Sequence, residues 1–244
     1  MTAVQPRAAD GTLPPERVQS MFDRIAKPYD LMNRVMTIGL DRRWRALAAD
    51  EAAVGAGAEV VDVCCGTGDL SLELADRVGP AGEIVGVDFS AKMLEVASVK
   101  ASRDGVSNVR FVSGDALELP LGDDEFAAAT CAFGIRNLAD PEAGFREMAR
   151  VVRPGGRVVC LEITNPQSGA LARFYRVWFD RLVPRIGSLI DRGDSAYAYL
   201  PASVRRFPGP DALGDMMYRA GLERVRYRLL AGGIIALHVG EVPR

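Results

Sequence analysis

Two glycines and three acidic residues carry the clearest chemistry in this sequence. Gly66 and Gly68 form a Gly-x-Gly turn just after the branched apolar run Val60-Val61-Asp62-Val63. Without side chains there, the backbone can approach a ligand that a Cβ would block, and the helix that follows offers free N–H groups. Asp88 ends a second apolar run, Ile84-Val85-Gly86-Val87. An acid at that place and spacing suits the two hydroxyls of a ribose. Asp115-Ala116 follows a third apolar run that begins at Val109, where the carboxylate can accept from the exocyclic amine of an adenine. Together these positions predict an adenosine-cofactor site.

The choice of cofactor turns on what is missing. A dinucleotide site requires a third glycine, so that the helix can pack close beneath a pyrophosphate, and this chain has Ser71 there. Asp62, inside the first strand, has no place in such a site; it can support the turn or reach the amino-acid part of S-adenosylmethionine. Acids at 62, 88 and 115 on three successive strands favour S-adenosylmethionine. The competing role, capping helices and turns, applies most to Asp62 and Asp115.

These residues need a scaffold that brings successive strand ends together, and the hydrophobic rhythm supplies one. Strands are predicted over 60–64, 83–88, 109–112, 126–133 and 157–163. Helices are predicted over 69–78, 90–103 with Ser90 as N-cap, and from Pro141 to about Val152. Arg153-Pro154-Gly155-Gly156 reads as a tight turn. A helix over 211–220 and runs at 225–230 and 234–239 follow, with Gly232-Gly233 as a hairpin turn. The expected fold is α/β: a Rossmann-like, mostly parallel seven-stranded sheet, doubly wound, with an antiparallel C-terminal hairpin strand and ligands at the strand C-termini. Residues 1–14 are expected to be a disordered tail and 15–244 a single domain. Within it lie a helical preamble (15–56), expected over the open edge of the fold, and a helical cap insertion (about 168–207). In the preamble Val18, Met21, Phe22, Ile25 and Tyr29 recur at helical spacing, with an end or kink at Lys27-Pro28.

Composition removes several classes. Of 244 residues, Lys+Arg number 30 and Asp+Glu 32, a net charge of -2 with no basic field for nucleic acid. The four cysteines, 64, 65, 131 and 160, lack the spacing of a metal site and read as reduced thiols, so no metal is expected. Neither a signal peptide nor a membrane-spanning run is evident. A cytoplasmic protein follows, at most peripheral at the inner face of the cell membrane.

Longer stretches carry a resemblance. Asp62 to Asp69 (DVCCGTGD) is similar to the first motif of the ubiquinone/menaquinone biosynthesis C-methyltransferases. The likeness continues through FDRIAKPYDLMN (22–33), FGIRN (133–137), VVRPGG (151–156), PRIG (184–187), YLPAS (199–203) and GGIIALH (232–238). It spans nearly the whole chain from about residue 16, and FGIRN and YLPAS are specific to this family. The resemblance implies S-adenosylmethionine contacts at Thr67, Asp88, Asp115 and Ala116. It also implies methylation of a ring carbon of a polyprenylated quinol, demethylmenaquinol by preference, because Cys64-Cys65 resembles the menaquinone-forming branch. The alternatives are 2-methoxy-6-polyprenyl-1,4-benzoquinol methylation and a non-catalytic cofactor-binding scaffold. Two departures stand out: Ala132 where some members have Ser, and Cys64 where methyltransferases favour Gly.

For that chemistry Arg136 and Asn137, just past the fourth strand, are the catalytic candidates. The Arg would stabilise a phenolate or hold a water, and the Asn would orient a ring oxygen; the competing reading pairs Arg136 with an acid. His238, the sole histidine, has a suitable pKa but lies too far down the last strand to act as the base. Tyr29, Tyr197 and Tyr199 suit either the quinol pocket or plain aromatic packing. Residues 171–186, large apolar side chains with arginines, suit a peripheral membrane contact; packing on the sheet or in a homodimer suits them equally. A dehydrogenase fails on the third glycine. A nucleic-acid methyltransferase fails on its motifs: no Asn/Asp-Pro-Pro-aromatic follows strand four, and Cys131 follows Thr130, not Pro.

Overall fold

A computed structural model describes residues 14–164 and 196–244. Most of the expected cap, residues 171–186 included, lies outside the described residues.

Seven strands form one sheet: β1 Glu59–Val63, β2 Glu83–Asp88, β3 Val109–Ser113, β4 Phe126–Ala132, β5 Val152–Ile163, β6 Glu223–Leu230 and β7 Ile235–Glu241. Their order is β3-β2-β1-β4-β5-β7-β6. The first five are parallel, and β7 runs antiparallel between β5 and β6. The chain order reverses beside β1, between β2 and β4, which is where an open α/β sheet offers a crevice.

The apolar runs are strands because both faces are covered. Alternate residues of β1 separate the two cores. Val61 and Val63 pack with Phe145, Met148, Leu213 and Met217, on the side of α6 (Pro141–Arg150) and the helix Pro210–Arg219. Val60 packs with Trp44, Leu70 and Leu74, on the side of α3 (Leu40–Glu51) and α4 (Asp69–Val78). Period-two alternation therefore puts Asp62 on the α4 side.

The preamble is three helices. α1 (Pro15–Ile25) has proline in its first turn, and α2 (Tyr29–Thr37) begins directly after Pro28 and ends at Ile38, whose φ is 53°. The sequence reading stopped at the Lys27-Pro28 break and gave α2 no helix. Val18, Met21, Ile25, Ala26 and Met32 form a third core with Met93 of α5 (Ala91–Arg103). Gln19 Nε2 donates to the Phe89 carbonyl at 2.5 Å, and Ser90 Oγ donates to Asp23 at 2.6 Å. α1 thus lies over the C-terminal end of β2, while α3 packs on the sheet face beside α4. Ser90 caps α5 by accepting from Met93 N–H, as its position suggested.

Elsewhere the boundaries hold or move by one or two residues, except at β5, which starts five residues early. β5 begins at Val152, which pairs with Phe126; residues 153–156 bulge out before Arg157 pairs with Ala128. Gly155 has φ 82°, and a Cβ on Gly156 would stand 2.6 Å from the Ala127 carbonyl oxygen and 2.9 Å from that of Arg153. The helices α7 (Ala196–Arg206) and α8 (Pro210–Arg219) lead into the hairpin, whose connection is a short 3-10 turn over Ala231–Gly233. Because those Gly156 contacts are backbone, Gly156→Ala should destabilise the fold by about 2 kcal/mol. Equilibrium urea unfolding would show a lower midpoint at unchanged slope; a wild-type midpoint would mean the bulge adjusts freely.

Candidate active site

The turn after β1 is built from close approaches. Gly68 has φ 81°, and a Cβ on it would sit 2.9 Å from Phe111 Cζ and 3.1 Å from the Ala97 Cβ. Gly66, at φ 55°, donates its N–H to Asp88 Oδ2 at 2.8 Å. Beneath the turn Asp62 is 1% exposed and accepts from Ser71 Oγ at 2.7 Å and Thr130 Oγ1 at 2.8 Å. Of the two uses the sequence allowed for Asp62, both carboxylate oxygens are engaged in supporting the turn. Cys64 has φ 55°, so a cysteine stands in the left-handed conformation that glycine would take without strain.

A cavity of about 340 Å³ opens at these strand ends. Asp62, Gly66, Thr67, Asp88, Asp115 and Ala116 all line it, and so does Asn137. Gly68 lies one residue outside the lining and shapes the turn. The Asp88 carboxylate also accepts from Ser90 N–H at 2.9 Å. Asp115 accepts from Leu117 N–H at 2.9 Å and is otherwise exposed, while Ala116 is buried. Burial pushes the Asp88 carboxyl up to about 6, although N–H groups of Ser90, Gly66 and Phe89 favour its charge. Burial likewise holds Asp62 at about 6 against the hydroxyls of Ser71 and Thr130.

Sequence reasoning missed the cations of this site. Lys100 on α5 bonds Asp30 of α2 at 2.8 Å and also Asp69. Thr67 Oγ1 donates to Asp30. Arg45 on α3 pairs with Asp41 at 2.6 Å, stands 3.7 Å from Asp69, and covers the Phe133 ring at 5.3 Å. Burial would raise the Asp69 pKa, but Arg45 and Lys100 together hold it below the ordinary value. The i,i+4 spacing of Asp41 and Arg45 and the rarity of lysine were the only signals in the sequence. Arg45 lines the cavity.

Arg136 and Asn137 separate. They occupy a 3-10 turn, Ile135–Asn137, after β4. Arg136 Nη1 donates to Glu162 Oε1 at 2.7 Å and to the Phe133 carbonyl, and Arg136 N–H donates to Glu162 Oε2 at 3.2 Å. Both side chains are buried, 7% and 1% exposed. Burial works against the Arg136 charge, but Glu162 more than offsets it and raises the pKa. The guanidinium expected to face substrate is therefore turned onto an acid, and it does not line the cavity. Asn137 does, and its Oδ1 is buried without a partner among the described residues.

The remaining candidates sort in the same way. Tyr29 lines the cavity, and Tyr199 packs against the third core beside Arg136. The Tyr197 side chain lies outside the described residues. His238 is fully buried opposite Cys160, with Nε2 2.9 Å from the Pro210 carbonyl and its ring 5.0 Å from that of Tyr227. Burial lowers its pKa, and it has no place in the cavity. Among the described residues no group of acids, histidines and cysteines could hold a metal.

A glycine-turn crevice at the reversal point of a sheet closed by an antiparallel hairpin defines a Rossmann-like methyltransferase fold. Solved structures agree. The [4+2]-cyclase SpnF superposes with TM-score 0.71 at 18% identity, covering 95% of this chain and 98% of that one. A SAM-dependent methyltransferase from Aquifex aeolicus gives 0.59 at 17%, covering 95% and 100%. The first of these is named a cyclase, so the shared fold does not by itself specify the reaction. The ubiE/COQ5 methyltransferase family matches residues 12–242, and the chain belongs to that family. Demethylmenaquinone methyltransferases of Deinococcus radiodurans and Thermus thermophilus are each 48% identical to it. The first match covers 93% of this chain and 92% of the relative, the second 91% and 100%.

Two predictions follow from the acids. Asp88→Ala should weaken S-adenosylmethionine binding by about 2 kcal/mol or more, because ribose hydroxyls would lose their acceptor; unchanged affinity by calorimetry would remove Asp88 from the ribose site. Asp62 carries a sign as well. Its folded pKa is raised from 3.8 to about 6, so its contribution to stability is full below the lower value and lost as pH rises through the upper. Asp62→Asn removes the titration. Its unfolding free energy relative to wild type should rise across that window by about 1–3 kcal/mol. A pH-independent difference would show that Asp62 titrates normally.

Proposed function

We propose that the cavity is the S-adenosylmethionine site of a C-methyltransferase acting on demethylmenaquinol in menaquinone biosynthesis. The observation that carries the substrate is the 48% identity, over nine-tenths of the chain, to relatives named demethylmenaquinone methyltransferase. The cavity fits the cofactor independently. Gly66 and Gly68 keep its floor open, and Asp88 stands at the end of β2 as the ribose acceptor. Asp115 and Ala116 form the adenine wall, with Thr67 in the turn. Arg45 is the cation that the methionyl carboxylate requires.

When bound, S-adenosylmethionine supplies an electrophilic methyl group on a sulfonium. The protein must hold the quinol ring carbon about 3 Å from that methyl and keep water out. It must also favour ionisation of a phenol whose ordinary pKa is about 10, which raises electron density at the neighbouring carbon. Methyl transfer would then form a carbon–carbon bond as the carbon–sulfur bond breaks, and loss of the ring proton would restore aromaticity. Asn137 Oδ1, buried and unpartnered, is the acceptor that orients a ring hydroxyl. Arg136 holds the 3-10 turn through Glu162 and so positions Asn137 at the cavity. Moving the guanidinium to the substrate would break a buried pair, at a cost of roughly 3–5 kcal/mol.

The polyprenyl tail keeps this substrate in a bilayer, which supports a peripheral position at the cytoplasmic face of the cell membrane. Among the described residues no helix is long and apolar enough to cross one. A homodimer is the alternative use of residues 171–186.

Labelled methyl transfer to demethylmenaquinol and, in parallel, to a benzoquinol tests the reaction, with the naphthoquinol expected to dominate. Cofactor binding without transfer to any quinol would refute the enzyme reading. Asn137→Ala should lower kcat by about 10-fold to 100-fold at unchanged cofactor affinity. Arg136→Ala should lower both kcat and thermal stability, and wild-type turnover in either variant would remove that residue from the site.

A further inference from the structure

The corner between α2 and α3 presents a surface that the fold itself does not use. Leu31, Val35, Ile38 and Leu40 are 60%, 44%, 81% and 44% exposed. Leu31, Val35 and Ile38 recur at i, i+4 and i+7, one face of the helix whose other side buries Met32. The other large apolar side chains exposed among the described residues are scattered over α5, α8 and β6. Ile38 is the extreme case. It is a β-branched residue at φ 53°, at a helix C-terminus where glycine or asparagine would end the helix without strain. Among the described residues, neither the strain nor the exposure gains any packing.

Charge surrounds this apolar tip on one sign only. Lys27, Arg34, Arg42 and Arg43 are exposed, and among the described residues none of them makes an ion pair. The acids of the same stretch, Asp30 and Asp41, are turned inward onto Lys100 and Arg45. Arg34 also acts on Asp69, so a folded partner of ordinary mixed charge would leave Lys27, Arg42 and Arg43 uncompensated. An anionic lipid surface compensates them and takes the apolar side chains as well.

We propose that the α2–α3 corner is a membrane-docking face, which seats Leu31, Val35, Ile38 and Leu40 at the headgroup boundary of an anionic bilayer. The proposal rests on the reading of the substrate as a polyprenylated quinol, and it gives that reading a geometry. Tyr29, at the start of α2, lines the cavity, and Asp30 beside it accepts from Thr67 in the glycine turn. The helix that meets the lipid is thus a wall of the site, so a quinol can pass from bilayer to cavity along it.

Flotation of the full chain with vesicles of phosphatidylglycerol and phosphatidylcholine, against phosphatidylcholine alone, tests this. The wild type should float with the anionic vesicles and be released by 0.5 M salt, about where screening collapses to a few ångströms. Ile38→Asp should lower binding at least about tenfold. Lys27→Gln, Arg42→Gln and Arg43→Gln combined should lower it on the order of a hundredfold, about fivefold per charge. Both variants should keep the wild-type melting temperature and turnover on a tail-less naphthoquinol. Wild-type binding by either folded variant, or salt-insensitive binding of the wild type, would overturn the proposal. So would a dimer that Ile38→Asp dissociates while vesicle binding is unchanged. A wild type that floats but methylates no quinol would sink the functional reading and leave the docking face standing.

Discussion

The buried carboxylate of Asp62 is the constraint on which the site depends. It sits within β1, one pleat from the glycine turn, and binds α4 through Ser71 and β4 through Thr130. Those bonds fix where the helix starts relative to two neighbouring strands, and so where the N–H of Gly66 points. It points to Asp88, whose carboxylate is thereby placed at the end of β2. Removing one hydroxyl from this arrangement would leave a buried acid short of a partner, which costs more than an ordinary hydrogen bond contributes. The crevice is therefore a consequence of strand register, since Asp62 faces Gly86 on one side and Thr130 on the other. Gly86 in turn leaves room for Phe111, the ring on which Gly68 rests.

This arrangement crowds acids at one end of the sheet, and two helices supply the balance. Arg45 of α3, in the preamble, stands 3.7 Å from Asp69, and Lys100 of α5 bonds Asp69 and ties Asp30 of α2 to it. The preamble is thus part of the binding site as much as a cover for it.

The strands were legible because runs such as Val60-Val61 and Ile84-Val85 can bury both faces only in a sheet covered on both sides. The glycine turn, Asp88 and Asp115 were legible because spacing alone sets their place. The break at Pro28 hid α2, since a proline that ends one helix can equally open the next. The bulge at 153–156 was read as a tight turn because its glycines and proline look the same in either setting. Of the charge network only the i,i+4 pair of Asp41 and Arg45, and the possibility of an unnamed acid for Arg136, could be read locally. Lys100 meets Asp30 across 70 residues and Arg136 meets Glu162 across 26, and no local pattern names such partners. Residue type made Arg136 a candidate for catalysis; only its partner shows that the guanidinium is engaged elsewhere.

Cys64 shows how a departure from the usual glycine can be accommodated. The chain keeps the left-handed turn there and places a side chain where none is expected, so space must come from the opposite strand end. Gly134 provides it: a Cβ at that position would lie 2.3 Å from the Cys64 Cβ. The Phe-Gly of the 133–137 segment and the first cysteine are therefore one steric unit, although 70 positions separate Cys64 from Gly134. Both line the cavity, and Ala132, where a hydroxyl is absent, lines it beside them. This wall is thus sulfur and methyl, with Asn137 as its polar group. The packing of this wall is set by the residues that let β1 and β4 end so close together.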